Sequence, residues 1–398
     1  MVITRRQFLR HSSLAVAGGL VSPRLVIKSP AKKVLILGAG MAGLVAGYEL
    51  SKLGHNVTLL EARTRPGGRV HTLREPFAGG LHAEAGAARI RDNHELTLKY
   101  VKEFDLPLEP FYPSKLNIVR YDLGGRREVS IDGYTDAMTQ NYNEELGGTP
   151  EIWHTITGGM DLLPKAFTAR LGDKIHYGAA VVRIEQNAKQ ATVKFRQNGT
   201  MQAMSADVVL STIPFTVMRR LELPGLSARK KDLIKRTPYD NVSRVYVQTK
   251  NRFWEDKGLN GFAFTKGAIE IWQPTWNQPG PRGILMSYAR FSEADRITSL
   301  KETERIKQTL NQLDSIFTGL RAQFEHGVTK CWTEDEWSRG AWGFVGLFEL
   351  LTASAPDGRI YFAGEHLSPW YSWIQGALSS ALKAVKDIDE VSVVNAFA

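Results

Sequence analysis

Glycines at positions 38, 40 and 43 and a glutamate at position 61 form the first set of residues whose types and spacing could do chemistry. In Gly38-x-Gly40-x-x-Gly43 the first glycine permits a tight turn, the second lets the backbone approach a pyrophosphate, and the third lets a helix pack on a strand. A helix opening at such a turn offers free N–H groups and the positive end of its dipole to phosphate. Glu61 stands 18 residues beyond Gly43, where a carboxylate can accept hydrogen bonds from both ribose hydroxyls. These residues together point to a bound dinucleotide. Directly after Glu61 come Arg63 and the run Arg65-Pro66-Gly67-Gly68-Arg69-Val70, whose second glycine pair and arginines can take the other side of the pyrophosphate.

Those residues require a strand, a turn, a helix and a second strand. Val34-Leu35-Ile36-Leu37, entered from two lysines, reads as a short buried strand. Leu44 to Leu53 has helical spacing and ends at Gly54, a plausible C-cap. Asn56 to Glu61 is a second strand, completing a βαβ unit that implies a parallel sheet. Further along, Glu95 to Phe104 is helical and Gly158-Gly159-Met160 opens another helix. Ile175 to Ile184, Ala191 to Arg196, Val208 to Thr212, Val242 to Thr249 and Gly283 to Arg290 read as strands. Glu302 to Phe317 is a charged amphipathic helix; Ile360 to Ala363 is a last buried strand, and Ile374 to Val385 a last helix. The chain shows no internal repeat.

Its 398 residues suffice for two interlocked domains. The net charge is +10, but the first 28 residues hold five basic groups and no acid, leaving +5 for the rest. No arginine-rich block or nucleic-acid module is present, so nucleic acid is not an expected partner. The single cysteine, Cys331, excludes an intrachain disulfide and zinc sites built on several thiolates, and no metal is expected. Thr4-Arg5-Arg6-Gln7-Phe8-Leu9-Arg10, followed by the apolar stretch Ser13 to Val21, looks like a twin-arginine export signal. On that reading residues 1–30 engage the twin-arginine machinery and the protein is periplasmic, cell-surface or secreted.

The segment Glu61 to Thr72 resembles the flavin amine oxidase superfamily, most like its bacterial L-amino-acid oxidases. The resemblance runs through nearly all of the chain after the export signal. Gly158-Gly159-Met160-Asp161 and Val181-x-x-Ile184 are similar to the family's return to its cofactor domain, with Val181 on the adenine side. Asp207 to Pro214 resembles the strand closing that segment. Ile360-Tyr361-Phe362-Ala363-Gly364-Glu365 looks like the C-terminal flavin motif, and Trp373-Ile374-Gln375-Gly376-Ala377 starts a helix aimed at the flavin pyrimidine ring. The implied fold is α/β plus α+β: a Rossmann-like FAD domain (31–72, 158–220, 355–398) and a discontinuous substrate domain on a mixed or antiparallel sheet (73–157, 221–354). The helical part of the latter would be reduced to about 127–153.

The resemblance implies hydride transfer from the carbon bearing a neutral amine to flavin N5, with O2 as the final acceptor. It assigns Trp342 and Trp373 as aromatic walls flanking the amine, able to orient it and exclude water. Lys250 would hold a water against N5 and help oxygen react. Gly86 and Ala87 would touch the cofactor. Arg89, in Glu84-Ala85-Gly86-Ala87-Ala88-Arg89-Ile90, resembles the arginine that clamps the substrate carboxylate, and Ser372 would offer its carbonyl to the amine. Covalent members carry a cysteine before the first wall, where this chain has Ala341, so FAD is expected to be non-covalent. A monoamine or polyamine oxidase, with Arg89 structural, and a flavin desaturase or protoporphyrinogen-type oxidase are the alternatives. The tryptophan walls favour a flat or apolar substrate side chain, and a homodimer is left open.

Overall fold

The computed structural model describes residues 30–122, 125–130, 153–265 and 269–390. Residues 1–29, where the export signal is expected, and most of the expected reduced helical part lie outside these residues.

A five-stranded parallel sheet carries the glycine turn. Its strands run in the order Ile175–Tyr177, Asn56–Glu61, Lys33–Leu37, Val208–Ser211, Ile360–Phe362. The central strand is buried on both faces, and its alternation divides the core. Val34 and Ile36 face the helices Met41–Leu53 and Ile374–Glu390, through Leu44, Val45, Leu378 and Ala381. Leu35 and Leu37 face the other way, towards Ile184, Val193 and Phe195 of a three-stranded antiparallel sheet. Each such fully buried aliphatic side chain contributes roughly 1.5–3 kcal/mol. The helix Met41–Leu53 stops where Gly54 turns left-handed at φ 93°. The single strand expected over 175–184 is instead two, Ile175–Tyr177 and Ala180–Gln186, because Gly178 breaks the run at φ 67°.

The second layer is a seven-stranded sheet in the order Phe324–Cys331, Val242–Thr249, Gly283–Arg290, Ile269–Trp272, Leu259–Thr265, Asn117–Asp122, Gly125–Val129. It is antiparallel except where Leu259–Thr265 pairs parallel with Asn117–Asp122. Period-two alternation again sorts the side chains. Val245, Val247 and Leu285 pack under the helices Phe291–Thr298 and Glu302–Ile316. Tyr246, Met286, Tyr288 and Trp272 form a core on the opposite face with Trp332. That face, and the carboxyl ends of the parallel strands, bound the same cavity.

Candidate active site

A cavity of about 560 Å3 runs from the glycine turn to the inner face of the seven-stranded sheet. At its nucleotide end Gly38 adopts φ 102°, a conformation that favours glycine. A Cβ on Gly43 would stand 1.9 Å from the Gly38 carbonyl oxygen, so this glycine sits behind the turn and sets helix-on-strand packing. A Cβ on Gly40 would meet nothing within 4 Å; it would project into the open space. Gly68 lies opposite, its Cβ position 3.3 Å from the Gly40 Cα, and the Gly67 amide donates to the Ala39 carbonyl at 2.8 Å. Gly40 caps the following helix without a side chain, and the first turn carries no acid. Two glycine loops joined by the Gly67–Ala39 hydrogen bond beside a helix N-terminus fit a pyrophosphate.

The buried Glu61 is held in place by two amides: Ala39 N–H donates to one carboxylate oxygen at 2.7 Å and Arg63 N–H to the other at 2.8 Å. Burial pushes its carboxyl up while both amides pull it down. Val181 lines the same end. Arg63 lines it too, but its guanidinium is engaged with Asp335 and, at 3.0 Å, the Ser338 hydroxyl. Despite its burial, Asp335 is held well below the usual carboxylate range by Arg63 and Lys330.

Glu365 ties the flavin end together. One carboxylate oxygen accepts from Arg69 at 2.8 Å and from Gly343 N–H at 3.0 Å; the other accepts from Ser372 N–H at 2.9 Å. The same acid therefore positions both tryptophan segments. Arg69 also donates to the Ala341 carbonyl at 2.8 Å, and it packs against Gly86, where a Cβ would come within 1.6 Å of the Arg69 carbonyl oxygen. The Ala87 amide donates to that same oxygen at 3.2 Å. Gly364 and Ile374 complete the lining here.

Trp342 and Trp373 both face the cavity. Trp342 pairs with Asp240 across a two-stranded ribbon, and its indole N–H donates to the Asp240 carboxylate at 2.7 Å. Trp373 meets His94 edge to face at 4.7 Å; burial pushes that imidazole down to about 3, which keeps it neutral. Ser372, held at φ 69°, lines the space between. Arg89 reaches the cavity inside an aromatic sleeve, its guanidinium 4.3 Å from the Trp153 ring centre and 4.6 Å from that of Trp272. It stands 3.6 Å from Glu270, which Arg290 contacts at 3.0 Å.

Lys250 is the correction. It is exposed at the end of its strand, 3.5 Å from the Ala322 carbonyl, and does not line the cavity. The cation that this strand presents to the cavity is Arg244, six residues earlier and about 20 Å away along an extended chain. Lys250 and Arg244 share parity, but the strand runs beyond the cavity and ends at Thr249, before the lysine. Sequence reasoning missed Arg244, Arg290, Trp272, Tyr288, Glu270 and Asp240. Alternation could have grouped Val242, Arg244 and Tyr246 on one face, without saying what that face meets. Cys331 is buried against Arg305, with an Arg305 N–H 3.1 Å from its sulfur, and does not line the cavity.

The flavin containing amine oxidoreductases match residues 41–146 and 134–389. The chain belongs to this family. It is 29% identical to the flavin-dependent L-tryptophan oxidase RebO of Lentzea aerocolonigenes, over 90% of this chain and 98% of that one. It is 26% identical to the L-amino-acid oxidase of Crotalus adamanteus, over 92% and 89% respectively. In fold it matches the cyclohexylamine oxidase of Brevibacterium oxydans IH-35A with a TM-score of 0.78 at 19% identity, covering 91% of this chain and 99% of that one. A putrescine oxidase bound to putrescine gives 0.77 at 19% identity, over 90% and 99%. The protein is thus an FAD-dependent amine oxidoreductase whose two layers are those expected: a Rossmann-like cofactor domain and a mixed-sheet substrate domain.

Proposed function

We propose that the protein is an L-amino-acid oxidase that holds FAD non-covalently and converts its substrate, O2 and water to a 2-oxo acid, ammonia and hydrogen peroxide. The observation that carries this reading is the charge of the substrate end. Arg89, Arg91, Arg244 and Arg290 all line the cavity there. Such a surface attracts a carboxylate and repels the cationic chain of a polyamine.

The flavin, when bound, supplies the hydride acceptor and the route to oxygen. The chain supplies the rest. The two glycine loops receive the pyrophosphate, Glu61 accepts from ribose, and Val181 packs on the adenine side. Trp342 and Trp373 flank the amine and keep water from it, and Ser372 offers its carbonyl to the amine nitrogen. Arg89 takes the substrate carboxylate, oriented by the indoles on either side. Ala341 before Trp342 and the burial of Cys331 outside the cavity support non-covalent FAD.

The test is peroxide release in air against L-amino acids and their decarboxylated amines. A charge-assisted clamp contributes about 2–3 kcal/mol, so Arg89→Ala should raise KM for amino acids roughly 30- to 150-fold and leave KM for amines nearly unchanged. Equal losses on both would return Arg89 to a structural role. We further propose that the Arg5-Arg6 segment directs export by the twin-arginine route. Replacing both arginines with lysine should leave the protein in the cytoplasmic fraction, and undiminished export would remove that assignment.

A further inference from the structure

The helix Leu347–Ser354 is apolar on two sides. Leu350 and Ala353 pack inward, on the core that also holds Phe362 and Leu367. Leu347, Phe348 and Leu351 turn outward; Phe348 is 100% and Leu351 77% exposed. Their spacing puts these three on one face of the helix. A helix with apolar residues all round is ordinarily buried all round, so this outer face lacks a partner. The patch continues towards the cavity. Phe344, itself exposed, stands three residues before the helix and meets Tyr371 edge to face at 5.1 Å. Tyr371 is exposed as well and lines the cavity.

A basic helix, Ala228–Arg236, lies beside this one. The two are tied together. The Lys230 ammonium donates to the carbonyls of Thr352, Ala353 and Ala355 at 3.0, 2.8 and 2.8 Å. Arg229 donates to the Thr352 hydroxyl at 3.1 Å, and Arg236 to the Glu349 carboxylate at 2.7 Å. Together the two helices carry five Lys and Arg and two carboxylates, Asp232 and Glu349, and both carboxylates pair with Arg236. The surplus survives when the flanking acids Glu222, Asp240 and Asp357 are included: residues 215–240 and 344–359 hold eight Lys and Arg against five carboxylates. Arg229, Lys231 and Lys235 are exposed and, among the described residues, form no ion pair within 4 Å.

We propose that this face docks on an anionic lipid surface, with Leu347, Phe348 and Leu351 entering the headgroup boundary and Arg229, Lys231 and Lys235 supplying the attraction to lipid phosphate. Exposed apolar side chains beside unpaired cations are what such a surface holds. A second copy of the chain suits the face less, because a two-fold contact would bring the basic helix up to its own copy. No helix among the described residues is long and apolar enough to cross a membrane, so the contact is peripheral. Through Phe344 and Tyr371 it brings the cavity to the lipid surface. The inference does not depend on which amine the site oxidises.

Full-length, flavin-loaded protein is sedimented with sucrose-loaded vesicles of phosphatidylcholine, with and without about a quarter phosphatidylglycerol, at about 0.1 M salt. Binding should be at least about tenfold stronger on the anionic vesicles and should fall as salt rises. Phe348→Ser with Leu351→Ser should weaken it about tenfold, and Arg229→Gln with Lys235→Gln about as much, while flavin absorbance and turnover in vesicle-free solution keep their wild-type values. The basic N-terminal segment is present in every variant, so binding undiminished in either pair would place the attraction elsewhere and overturn the proposal. Equal binding to neutral vesicles would overturn it too. Self-association in sedimentation velocity that the serine pair abolishes, with vesicle binding unchanged, would give the face to a second copy instead. Should the serine pair not fold, the glutamine pair, which alters only exposed cations, carries the test alone.

Discussion

Glu84 lies where the two layers meet, and its carboxyl should make folding depend on pH. The group is buried, and burial pushes it up to about 7 against the hydrogen bonds from Thr72 and the Met160 amide. One carboxyl oxygen accepts from Met160 N–H at 2.9 Å, and both lie within 3.0 Å of the Thr72 hydroxyl. A proton on the second oxygen can be donated to that hydroxyl, so the neutral acid is well accommodated. The ordinary carboxyl of an unfolded chain titrates near 4.5. Below that value both states hold the proton and the contribution of Glu84 is fully present. As pH rises towards about 7 the unfolded chain releases a proton that the folded protein keeps, and stability falls. At about 1.4 kcal/mol per pH unit, the difference accumulates to roughly 3 kcal/mol and levels off above the folded value. Glu84→Gln is isosteric with the neutral acid and does not titrate. Denaturant unfolding of both proteins with saturating FAD, from about pH 4.5 to pH 8, should show the wild type losing roughly 3 kcal/mol relative to the variant. Parallel curves would mean that the Glu84 carboxyl does not hold its proton in the folded protein, and the reasoning would fail.

The second and third glycines of the motif should respond differently to substitution. Gly40→Val should leave a folded protein without flavin absorbance, because the new side chain enters open space meant for pyrophosphate; Gly43→Ala should lower Tm, because its methyl meets the Gly38 carbonyl oxygen at 1.9 Å. Retention of flavin by Gly40→Val would displace the pyrophosphate from this turn. Lys250→Met should change kcat/KM by less than twofold, given the exposed position of the lysine; a loss of tenfold or more in stopped-flow flavin reoxidation would restore it to the site.

Much of the cofactor end was legible in the linear order of residues. Val34-Leu35-Ile36-Leu37, the three glycines, the helix and Glu61 form one local unit, and local units are governed by spacing: period two for the strand, 3.6 for the helix, one glycine for each close approach. The structure places Glu61 on the glycine turn through the Ala39 amide, only 22 residues away. Gly364-Glu365 and Trp373-Ile374 were also identifiable as motifs, although the link from Glu365 to Arg69 spans 296 residues and shows only in three dimensions. The substrate end was much less legible. Arg89 was singled out by its neighbours in sequence, but its sleeve of Trp153 and Trp272 and its carboxylate partner Glu270 come from other strands. Lys250 directly follows the strand that carries Arg244 and shares its parity, and alternation cannot say where along that strand a cavity begins and ends. By itself the sequence determined the nucleotide-binding unit, the class of chemistry and the order of the motifs. Only the tertiary structure decided which cations face the cavity, because cross-strand register sets Arg244 and Arg290 beside Trp272 and Tyr288, the packing of a separate segment brings Arg89 to the same rings, and no local pattern records either.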